Sequence, residues 1–272
     1  MGKKARGWFL FWGMLFAVFI VRGLLPWLIV WLATPGLGPW QALTAAFSSD
    51  PRVMAAVHAS APLLLMAGGV FLIFLFFHWL FLEPKNYGLY GEKFFHAQGV
   101  WFYAVVSVLL ALIVWQALKI NPYLGFAAVV GSTAFFITHG FKENAAKKET
   151  ELMKGGLSDI SKILYLEVID ATFSIDGVLG AFAFTLSVPL ILIGNSLGAF
   201  VVRELTIKNI DRIKKYVFIK NGAMYSILFL GGIMLADAFG HEIPSWFSPL
   251  TTFAVVGFFF WKSIRHNKLN AA

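Results

Sequence analysis

Long apolar runs, each about the thickness of a bilayer, alternate along this chain with short hydrophilic joints. A spanning helix needs about 20 apolar residues, and the runs at 8–33, 53–82, 99–118, 122–139, 161–186, 187–206, 217–239 and 246–264 approach or exceed that length. The expected fold class is all-α: a polytopic membrane helix bundle of about eight transmembrane helices. The fifth and sixth runs are nearly continuous. Their boundary is expected at Thr185-Leu186-Ser187-Val188-Pro189, because proline disfavours helical backbone in the residue before it. Pro62 inside the long second run predicts a tilt or kink. Between the first two runs, Pro35, Gly36, Gly38 and Pro39 interrupt the chain, and Trp40, Leu43 and Phe47 then recur at helical spacing. That pattern predicts a short interfacial helix.

One insert, Phe141 to Lys162, is plainly hydrophilic and ends in a Gly155-Gly156 hinge before Lys162. It organises a single integral membrane domain into three parts. Residues 1–140 form a first four-helix group, 141–162 a charged cytoplasmic connector, and 163–272 a second four-helix group.

Composition places the bilayer as the solvent. Apolar residues make up 59% of the chain and charged residues 13%, against roughly 45–50% and 25% in soluble domains. One core could not hide that much apolar surface from water. Cysteine is absent, which excludes disulfides, thiolate metal sites and cysteine nucleophiles. The net charge of +8 raises the question of nucleic acid, but the basic residues sit in short runs at the ends of apolar segments. No nucleic-acid partner is expected.

Counted against the spans, those charges set the orientation. With the N-terminus inside, only Arg52 and Lys119 fall outside and Arg22 within a span. Miscounting one helix would put the two richest loops on opposite sides, so both termini are expected in the cytoplasm, in the cell inner (plasma) membrane. The first run, Trp8 to Ala33, exceeds the 7–15 residues of a signal core and is expected to be a retained span.

The fifth run carries charges that hydrocarbon penalises: Glu167, Asp170 and Asp176. Each costs about 2.5–3.5 kcal/mol at bilayer depth, or about 8–10 kcal/mol for three ionised and unpaired carboxylates. Such a helix needs protonation, a cation or basic partners. In an unbroken helix Glu167, Asp170, Ser174 and Gly177 share one face, and Asp176 falls off it. Ser174-Ile175-Asp176-Gly177 is weak helix material. A break there would let Asp176 and freed carbonyls join the other carboxylates, as interrupted helices do at mid-membrane ion sites. Oxygen-only ligands suit a divalent cation such as Mn²⁺, Mg²⁺ or Ca²⁺, and equally a proton relay. The competing reading is structural pairing of the carboxylates with Arg22. Asn195 and Ser196, interrupting the sixth run, are supporting polar groups or close-packing positions. Met66, Met224 and Met234 read as core filling.

Glu167-Val-Ile-Asp170-Ala-Thr-Phe-Ser-Ile-Asp176-Gly-Val-Leu-Gly-Ala-Phe-Ala resembles the signature helix of the TerC family of tellurium-resistance-associated integral membrane proteins. More narrowly it is similar to a branch catalogued as a domain of unknown function. Gly194-Asn-Ser-Leu-Gly-Ala-Phe-Val-Val-Arg203-Glu-Leu-Thr206, the basic connection to Asn221-Gly-Ala-Met224, Arg22 before Pro26, and Ala67-Gly68-Gly69 carry the likeness further. The resemblance implies an ion-transport-related membrane protein linked to manganese export and metal or tellurite tolerance. It carries the acidic motif onto Glu167, Asp170 and Asp176 as cation-site residues. Family members have an earlier helix with a matching acidic motif, and this sequence begins at what resembles the helix after it. The site is therefore expected to be incomplete, altered, or completed by a second chain in an oligomer.

The resulting expectation is a divalent-cation transporter or exporter of the TerC type, with a transported ion such as Mn and no covalently bound cofactor. The alternative is a non-transporting membrane scaffold that holds partners through its cytoplasmic segments. An enzyme is not expected, because no His-Glu-x-x-His helix or nucleophile–base pair is present.

Overall fold

A computed structural model describes residues 22–34, 36–45, 50–154, 177–182, 184–185, 187–213 and 215–271. Among these the chain is helical and contains no strand. The order is α1 (Arg22–Ala33), α2 (Pro39–Thr44), α3 (Pro51–Leu82), α4 (Tyr90–Ala97), α5 (Phe102–Leu118), α6 (Pro122–Lys154), α7 (Val188–Ile213), α8 (Ile219–Ala238) and α9 (Phe247–Ala271). Five helical segments among the described residues are long and apolar enough to cross a membrane: Pro51–Leu82, Gly99–Leu118, Pro122–Asn144, Ile219–Ala238 and Phe247–Leu269. Shorter apolar helices run over Leu24–Ala33 and Val188–Ala199. The protein is a polytopic helical membrane bundle.

The described residues fall into two compact units, each drawing on both halves of the sequence. One comprises Met1–Ser60 with Thr133–Phe200, the other Ala61–Ser132 with Val201–Ala272. Within the first, Gly36 turns the chain at φ +98°, a conformation a side chain would strain. Trp27 Nε1 then donates to the Pro39 carbonyl at 2.6 Å, tying the short α2 back to α1. A short helix forms where the Trp40 and Leu43 spacing predicts one, as α2 with Trp40 exposed, and Phe47 lies outside the described residues. The expected break before α7 also forms. Ser187 Oγ accepts weakly from the Leu190 amide at 3.5 Å, and Pro189 sits in the first turn, where its missing N–H goes unused.

The second unit is organised around α3, which continues past Pro62 as one helix and is buried almost all round from Leu64 to Phe81. Ala67-Gly68-Gly69 explains how neighbours approach so closely. A Cβ on Gly131 of α6 would overlap the Ala67 backbone, and one on Gly69 would lie 3.0 Å from the Gly231 carbonyl of α8. Small residues replace side-chain spacing with backbone contact, the usual packing device where lipid gives helices no hydrophobic drive to associate. Phe76 then packs on Tyr225 at 5.2 Å, so α3 and α8 run antiparallel. α9 returns against α8: Tyr225 stacks on Phe259 at 5.3 Å, and the Phe218 amide donates to Ser263 Oγ at 3.0 Å. Met66, Met224 and Met234 are buried in this packing.

Candidate functional site

The residues singled out in the sequence are unevenly placed. Glu167, Asp170, Ser174 and Asp176 lie outside the described residues, where chain description resumes at Gly177 with helical backbone over 177–181. Arg22 begins α1, and its side chain is likewise outside the description. Asn195 is half-buried in α7. Asp237 accepts the Ile243 amide at 2.8 Å and closes the turn after α8. Among the described residues no group of three or more His, Asp or Glu is placed to hold a metal ion.

The described polar chemistry gathers instead at the basic end of the second unit. There the loop after α3 (83–89) and α4 meet the first turn of α8 and the last turns of α9. Glu92 of α4 is 1% exposed. Its Oε2 accepts the Gly88 amide at 2.7 Å and the Asn221 side-chain amide at 2.8 Å. Asn221 also donates to the Asn86 carbonyl at 2.9 Å. A buried carboxylate is tolerable only when donors replace its water, and these two neutral donors do so for one oxygen. Lys262 Nζ donates to the Gly88 carbonyl, fixing the same loop to α9.

Beside it, Glu83 pairs with Lys220 at 2.6 Å and lies 3.6 Å from the buried His78. His78 first, and Lys220 after it, hold the Glu83 carboxyl at about 2, against an opposing rise from burial. Lys85 Nζ donates to the Leu80 carbonyl at 2.5 Å and to that of Trp79, and stands 4.2 Å from the Trp79 ring centroid. Those carbonyls are the unpaired acceptors at the end of α3, and a cation there also complements the helix dipole. Burial lowers the Lys85 pKa to about 8, although Glu92 and Glu83 favour its charged form.

This knot was not anticipated. In the sequence its lysines read only as orientation charges, and Asn221 stands only within the stretch that carries the family resemblance. The available signal was Glu92 itself, an acidic residue set among Tyr90, Phe94 and Phe95 beside a proposed membrane edge. The arrangement can hold four segments together and fix charges at the edge of a membrane. Its polar groups are engaged largely with one another.

The fold defines a polytopic helical membrane protein. Its family is the one described as "Protein of unknown function (DUF475)", which matches residues 1–270, and the chain belongs to it. It is similar to the "Uncharacterized membrane protein YceF" of Bacillus subtilis (strain 168), 27% identical over 165 residues. That alignment covers 60% of this chain and 61% of the relative, so the chain spans less than two thirds of the relative's length. No solved structure matches.

Proposed function

We propose that the chain is a TerC-like cation transporter, exporting a divalent ion such as Mn across the cell's inner membrane. Glu167 and Asp170 serve as oxygen ligands and Asp176 as a ligand or proton carrier. Ser174, Arg22 and Asn195 support them, and the ion is cargo rather than a resident cofactor. The observation that carries this reading is the retention of three carboxylates within one apolar run of a membrane protein, where each costs about 2.5–3.5 kcal/mol unless something positive meets it. In proteoliposomes of the full chain, Glu167→Ala with Asp170→Ala should abolish Mn²⁺ flux. Unchanged flux from a normally inserted double variant rejects the mechanism.

A second reading is favoured by α6. Its 33 residues extend about 50 Å, whereas the hydrocarbon core is about 30 Å thick. The helix therefore outruns the membrane into the charged insert. That is the shape of a scaffold which presents a stalk to a partner, with an incomplete or vestigial ion site. Replacing 141–162 with a neutral helix would then remove co-purifying partners and activity, while the acidic-helix variant would leave both intact.

A further inference from the structure

α4 is amphipathic in the opposite sense to a water-facing helix. At 100° per residue Tyr90 and Phe94 share one face, and Glu92 lies on the other. The carboxylate is the buried member, at 1% exposed, while Tyr90 is fully exposed and Phe94 65% exposed. The aromatic face does not stop at the helix. Trp101, 61% exposed, follows in the short 3-10 turn Gly99–Trp101, and exposed Val108, Leu112 and Trp115 continue at helical spacing along the spanning helix α5. Exposed rings on α4 are thus followed along the chain by Trp101 and by an exposed apolar stripe on the spanning helix α5. Lys93 is exposed next to them.

Water would favour the reverse arrangement, with rings inward and carboxylate outward. A bilayer surface makes the observed one favourable. Tyr and Trp rings sit well at headgroup level, and an in-plane helix buries its apolar face at the boundary between headgroups and acyl chains. Glu92 is the buried member of the helix, and Gly88 and Asn221 bond one of its carboxylate oxygens in place of water.

We propose that α4 is a membrane-surface anchor. Tyr90, Phe94 and Trp101 seat in the leaflet at the basic end of the second unit, and the Glu92–Asn221 bond fastens the helix to α8. The occupant of the aromatic face is lipid. This inference is independent of whether the chain carries ions.

The absence of cysteine makes the test direct. Nitroxide labels are placed singly at Tyr90→Cys, Phe94→Cys and, as a loop reference, Glu242→Cys. The full chain is reconstituted in vesicles of phosphatidylcholine and phosphatidylglycerol. Electron paramagnetic resonance then compares collisions with oxygen and with a water-soluble nickel chelate. Labels at 90 and 94 should prefer oxygen and report a depth of about 5–10 Å, while the label at 242 prefers nickel. Nickel accessibility at 90 and 94 equal to that at 242 overturns the anchor. So does dipolar broadening between labels at 94, which would give the face to a second copy of the chain.

Discussion

Two acidic regions of this chain sit under opposite physical constraints. Glu83 and Glu92 lie beyond the end of a spanning helix, and the fold supplies donors to both, from Lys220, Gly88 and Asn221. Glu167, Asp170 and Asp176 fall inside an apolar run, where the sequence offers Arg22 as a basic residue deep within another run. A matched carboxylate at the membrane edge is structural mortar. One retained in hydrocarbon needs a reason beyond stability, because neutral residues would insert more easily. Setting along the chain, rather than residue type, separates the two: one pair follows a spanning helix, and the other three residues interrupt an apolar run.

Mutation can break that contrast, and the largest expected effect lies at the edge. Glu92→Ala leaves the Gly88 amide and one Asn221 bond unmet in a buried setting. The expected loss is about 2–4 kcal/mol of stability, read as a lowered unfolding midpoint in mixed micelles. A neutral result would mean that the knot is ornamental. The acidic run should respond in the other direction. Glu167→Gln with Asp170→Asn should hold the midpoint level or raise it by about 1 kcal/mol while flux disappears, as expected where function is kept at the expense of stability. A falling midpoint would instead support the structural pairing with Arg22.

The smallest effect sharpens the comparison through pH. Glu83 titrates near 2 in the fold against an ordinary 4.5. Its depressed value means the fold binds its proton less readily than the unfolded chain does. The stabilisation is therefore complete above about 4.5 and is lost as pH falls toward 2. Glu83→Gln should flatten the acid limb of an unfolding titration. Lys220→Gln should make it shallower at a cost below about 1 kcal/mol, since that lysine is largely solvated. An unaltered limb in both variants would remove Glu83 from the account.

The architecture was legible because bilayer thickness imposes one dominant period on the sequence. The run expected at 53–82 is α3 at Pro51–Leu82, that at 217–239 is α8, and the turn before Pro189 forms where proline requires it. The expected connector starts at Phe141 because polarity begins there. Backbone hydrogen bonding is indifferent to that change, so α6 carries on through the polar stretch to Lys154, the last described residue before 177. The Glu92 knot was illegible for a different reason. Its partners Gly88, Asn221 and Lys262 are separated by up to 174 positions along the chain, and no local pattern announces a contact at that range. The acidic motif is a reading of 3- and 4-residue spacings alone, and its residues fall outside the described part of the fold.

The enclosure of α3 has a consequence for how the protein is made. Its very apolar sequence suits it to the membrane before its partners exist, with its flanks first bathed in acyl chains. Gly69 cannot meet Gly231 until the ribosome has added the intervening stretch, a wait of roughly 8–30 s at synthesis rates of about 5–20 residues per second. Assembly therefore requires displacing lipid from a helix already inserted. Later helices must arrive beside it, which makes the rate of translation and the crowding of the nascent bilayer part of its folding problem.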